Sequence, residues 1–95
     1  MTVADTIRHK LRERFRPVRL DVIDESDRHA GHVGARPEGE THFFVTIVSP
    51  VFAGIGRVAR QRLVNETLAE ELATRVHALS MKTLAPGEPG SEAAT

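Results

Sequence analysis

Apolar side chains recur along this 95-residue chain at two different spacings, and the order of those spacings leaves few folds open. Val3, Ile7, Leu11 and Phe15 fall on every fourth residue, one stripe of an α-helix, with Arg8, Lys10, Arg12 and Glu13 left to water. Thr2 stands where an N-cap belongs, Asp5 occupies the position of the capping-box acid, and Pro17 ends the helix. The period then drops to two. Val18, Leu20 and Val22 alternate with Arg19 and Asp21, as a half-buried strand requires. Thr41 to Val48 alternates again, with Phe43, Val45 and Ile47 on one face and His42, Phe44, Thr46 and Val48 on the other. The helical period returns from about Arg57 to Ala73, with Val58, Val64, Leu68 and Leu72 in the stripe, and Val76 to Thr83 reads as a third strand.

The connections between these segments differ in kind. Glu25 to Glu40 has no apolar pattern and carries Gly31, Gly34, Pro37 and Gly39, a longer loop than ordinary connections. Ser49-Pro50 stops the second strand, and Val51-Phe52 before Gly54 and Gly56 suggests a turn or a single helical turn. Strands one and two, joined by one loop, are expected to pair antiparallel. The long helical crossover lets strand three run parallel to its neighbour. The expected architecture is α/β, a three-stranded mixed sheet with helices on one face. One domain over residues 1–84 is expected, followed by a disordered Gly/Pro/Ser/Ala/Glu tail over 85–95.

Thirteen basic and thirteen acidic side chains balance, whereas nucleic-acid-binding proteins usually carry a basic excess. There are no cysteines, so this chain alone supplies no disulfide, thiol nucleophile or thiolate ligand. Neither a signal-peptide pattern nor an apolar run of the roughly 20 residues that span a bilayer is present, and a cytoplasmic protein without membrane attachment is expected.

Strand direction decides what the five histidines can do. If strand three is parallel to strand two, His77, near its start, lies at the sheet end that also receives the long loop with His29 and His32, and where His42 opens strand two. If it is antiparallel, His77 sits roughly 20 Å away at about 3.3 Å per residue. Imidazole suits iron, zinc and copper, but two rings do not complete a closed four-ligand site, so further ligands would come from another molecule. The plainer readings are a partly buried His77, solvated loop histidines, and a His42 that only fixes the loop exit. Alternation sets His42 opposite the core face that His77 shares with Leu79 and Met81, so His42 ranks behind His29 and His32 as its companion. His9, on the polar side of the first helix, has no part in a site.

Several linked motifs in order resemble the BolA-like family. They are Glu25-Ser26 followed by His29, then Thr41-His42-Phe43, Val48-Ser49 with Phe52 and Gly54, Arg60-Gln61-Arg62 with Val64, Leu68-Ala69-Glu70-Glu71-Leu72, and Val76-His77-Ala78-Leu79. Gln61 stands where the family usually has histidine, and the match spans about residues 3 to 84. The resemblance implies an α-β-β-α-α-β domain of the class II KH type. It implies a non-enzymatic accessory protein that binds a monothiol glutaredoxin and shares with it and with glutathione a [2Fe-2S] cluster, in iron–sulfur trafficking or in iron or redox sensing. By position His77 is one ligand and His29 the other, with His32 a second loop candidate. No cofactor is expected in the isolated chain, which would be a monomer or weak homodimer.

The alternative is a DNA-binding transcriptional regulator of stress response and cell morphology. Arg57, Arg60 and Arg62 at the start of the long helix are its phosphate or partner contacts. Against it, a KH domain clamps backbone through Gly-x-x-Gly, whereas the turn here reads Gly54-Ile55-Gly56-Arg57. Ser26, Ser49 and Ser80 lack a nucleophile context, so catalysis is not expected.

Overall fold

The computed structural model describes residues 2–25 and 41–91. Helix α1 covers Val3–Phe15 and opens on a complete capping box, Thr2 Oγ1 accepting from the Asp5 amide and Asp5 accepting from the Thr2 amide. Its stripe of Val3, Ile7, Leu11 and Phe15 is buried as the spacing requires. Arg16 then turns into the left-handed region (φ 44°) ahead of Pro17. Strand β1 (Arg19–Asp24) pairs antiparallel with β2 (His42–Val48), and β2 pairs parallel with β3 (Ala78–Leu84), so β2 is the middle strand. The expected mixed sheet and the direction of its third strand are both found.

The core lies between one face of the sheet and the helices. Phe43, Val45 and Ile47 from β2 meet the α1 stripe, Phe52, Val64, Leu68 and Val76, with Leu79 and Met81 packed at the margin. Ser49 joins two elements: its hydroxyl donates to the Phe15 carbonyl (2.7 Å) and accepts from the Val51 amide (3.1 Å). It thereby fastens the end of α1 to the end of β2 and caps a 3-10 turn over Pro50–Phe52. Gly54 takes φ +77° on leaving that turn, a value that favours glycine.

Three boundaries differ from the expectation. The single helix over 57–73 is two, α2 (Arg57–Thr67) and α3 (Ala69–Thr74), broken at Leu68 (φ −105°, ψ 19°). At the break, Thr67 Oγ1 donates back to the Leu63 carbonyl (2.7 Å), a contact that bends helices. The order is therefore α-β-β-α-α-β, the one that the family resemblance implies. Strand three begins at Ala78 rather than Val76, leaving His77 just outside it. Within the expected tail, Ala85 is buried and residues 85–91 form successive turns. A glycine- and proline-rich run has little apolar surface to bury, but this one is held by a polar contact, Glu88 with Arg60.

Candidate functional site

Where β2 and β3 begin, backbone geometry brings two histidines together. The parallel register sets His42 beside Ala78. The amides of His77 and Ala78 both donate to the Thr41 carbonyl, at 2.8 and 3.2 Å, so the chain swings into β3 around Thr41. The His42 and His77 rings stand 6.4 Å apart between centroids, inclined at 63°. Rings that share one metal hold their centroids about 5 Å apart when each metal–nitrogen bond is about 2 Å. Thr41 Oγ1 and His42 Nδ1 share a hydrogen bond of 2.8 Å, which orients the ring; His42 is half-buried and His77 exposed.

Alternation along the strands had set His42 behind the loop histidines. The His42 and His77 rings nevertheless stand near each other, because His77 precedes β3, where the chain has left the pleat and parity no longer governs side-chain direction. His29 and His32 lie outside the described residues. Among the described residues no group of three or more His, Cys, Asp or Glu could hold a metal, so the pair is an incomplete donor set. Two neutral nitrogens fit half of the coordination of one iron in a cluster, and the remainder must come from elsewhere. His9 is exposed on α1.

The arginines divide. Arg57 and Arg62 are exposed on α2, but Arg60 is 8% exposed and turned inward. Its Nε donates to the Ile55 carbonyl (2.7 Å) and Nη1 to the Thr83 carbonyl (3.0 Å). The Nη1–Nη2 fork grips the Glu88 carboxylate at 2.7 and 2.8 Å. Arg60 is thus an internal brace, where sequence had suggested a phosphate or partner contact. The hydrogen bonds from Arg60, then from the Ala85 amide, hold the Glu88 carboxyl down to about 2. A second pair missed in the sequence joins Lys10 Nζ on α1 to Glu71 Oε2 on α3 at 2.6 Å, with Glu71 buried. No helix among the described residues is long and apolar enough to cross a membrane.

Known proteins share both the sequence and this framework. The chain is 50% identical over 90 residues to an uncharacterised Sinorhizobium protein from the cobS 5' region, covering 94% of this chain and 97% of that one. It is 51% identical over 81 residues to the Vibrio cholerae DNA-binding transcriptional regulator BolA, covering 85% and 73%. The solved structure of BolA1 from Arabidopsis thaliana superimposes with a TM-score of 0.81 at 42% identity, over 93% of this chain and 96% of that one. Residues 11–88 match the family model described as BolA-like protein, and with these similarities the chain belongs to the BolA-like family.

Proposed function

We propose that this protein is a non-enzymatic accessory factor that binds a monothiol glutaredoxin and shares a [2Fe-2S] cluster with it, in iron–sulfur trafficking or in iron or redox sensing. The observation that carries the reading is the approach of His42 and His77, 35 positions apart in sequence, to 6.4 Å at one end of the sheet. His77, exposed and anchored through its amide to Thr41, would supply one nitrogen to an iron. The second comes from His42 or from the loop residues His29 and His32. The glutaredoxin and glutathione would complete the set with thiolates, which this chain lacks. When bound, the cluster supplies electron storage and a transferable iron–sulfur unit. Parallel pairing of β2 and β3 keeps the two imidazoles at one end of the sheet, and each must be neutral at the ligating nitrogen.

The test is to mix the protein with a cluster-loaded monothiol glutaredoxin and record visible circular dichroism. A heterodimer spectrum distinct from that of the glutaredoxin alone is expected. His77→Ala should abolish the difference, and His42→Ala, compared with His29→Ala and His32→Ala, identifies the second ligand. An unchanged spectrum with His77→Ala would exclude ligation by that residue.

A second reading, DNA binding, is favoured by the similarity to the Vibrio regulator and by the exposed Arg57 and Arg62 on α2. It has one fewer basic contact than sequence suggested, because Arg60 is engaged internally.

A further inference from the structure

At the opposite end of the sheet from the histidines lies a cleft of about 340 Å³ between the start of α2 and the second half of β3, lined by Arg57, Arg60, Met81, Lys82, Thr83 and Leu84. Three cationic side chains face it. Arg60 is fixed by the Ile55 and Thr83 carbonyls, so its planar fork is already oriented, and a carboxylate occupies that fork in bidentate fashion. The carboxylate is the chain's own Glu88, whose side chain is 38% exposed and which sits on turns rather than on a helix or strand. Among the described residues Arg57 and Lys82 make no ion pair, which leaves positive charge in the cleft beyond what one Glu88 neutralises.

We propose that this cleft is a docking site for an acidic peptide segment of a partner protein, and that Glu88 holds its arginine seat in cis until a carboxylate of that segment displaces it. A carboxylate is favoured over phosphate because the seat is seen gripping one, with the two parallel N–H···O bonds that planar recognition requires. The cleft is separate from the histidine pair: Thr83 lies about 20 Å from His77 at about 3.3 Å per residue, so the two sites can be filled independently.

When a binding-competent state is only fractionally populated, apparent affinity falls by that fraction. Removing the competitor in cis should therefore tighten binding. The probe is a fluorescein-labelled Gly-Glu-Glu-Glu-Glu-Gly peptide, followed by anisotropy at low ionic strength. Glu88→Ala, checked for folding by far-UV circular dichroism, is expected to bind it at least about tenfold tighter than wild type. Arg57→Ala or Lys82→Ala added to that variant should reverse the gain. Equal affinity of wild type and folded Glu88→Ala would overturn the proposal, and so would a larger gain for a duplex DNA oligonucleotide than for the peptide. Should Glu88→Ala fail to fold, amide shifts of the wild-type protein decide. Peptide-induced shifts at Ala85, Gly87 and Glu88 support displacement, and shifts confined to other residues refute it.

Discussion

Replacing Ser49 by alanine would separate a structural from a chemical role for the fully buried serine of the Val48-Ser49 motif. The Cβ stays and no methylene is removed, so packing barely changes; what is lost is polar pairing. The Phe15 carbonyl lies in the last turn of α1, where carbonyls have no partner within the helix, and the Ser49 hydroxyl at 2.7 Å satisfies it. A buried acceptor left unpaired costs about 1–3 kcal/mol. The Val51 amide loses its cap as well, but Val51 is 40% exposed and water can take over, so that loss is smaller. The sum is about 2 kcal/mol, against a total stability of roughly 5–15 kcal/mol for a single domain. With a urea m-value of about 1–2 kcal/mol/M, the unfolding midpoint should fall by about 1–2 M. Urea titration of wild type and Ser49→Ala by far-UV circular dichroism measures it. A loss below about 0.5 kcal/mol would mean that the Phe15 carbonyl finds another partner and that the brace is not needed. The folded variant should still alter the glutaredoxin spectrum, because Ser49 lies at the far end of β2 from His42.

The Arg60–Glu88 contact predicts a pH signature. Glu88 has a folded-state value of about 2 against an ordinary 4.5, so its stabilisation is fully present above about 4.5 and is lost as pH falls toward 2. The melting-temperature gap between wild type and Glu88→Gln should narrow over that window, and a gap independent of pH would exclude an ionic contact. If DNA is a ligand, affinity should drop steeply between 50 and 200 mM salt, as counterion release demands, and Arg57→Ala should reduce the slope. Salt-insensitive binding would point away from phosphate contacts.

The parts of the fold that could be read from sequence are those in which burial follows a period. The α1 stripe and the alternation of β2 are one-dimensional records of which face meets the core, and each maps directly onto buried side chains. The direction of β3 followed from the length of the crossover rather than from any residue in it. Arg60 and Glu88 were opaque for the opposite reason: two polar residues 28 positions apart carry no periodic sign that they will meet, and a Pro/Gly-rich tail looks unstructured when only apolar surface is weighed. The histidine pair was half legible. Strand direction placed His42 and His77 at one end, but the turn around the Thr41 carbonyl, which sets their spacing, is a backbone event that alternation does not encode.

The parallel pairing of β2 with β3 also has a kinetic meaning. Its ladder cannot begin until a connection that includes the 3-10 turn, α2 and α3 has closed, and contacts so distant in sequence form late because chain entropy is lost before they reward it. The two imidazoles therefore converge only as the sheet is completed. A partly folded or misassembled molecule would offer single histidines but not the pair, so their joint presence reports a finished fold.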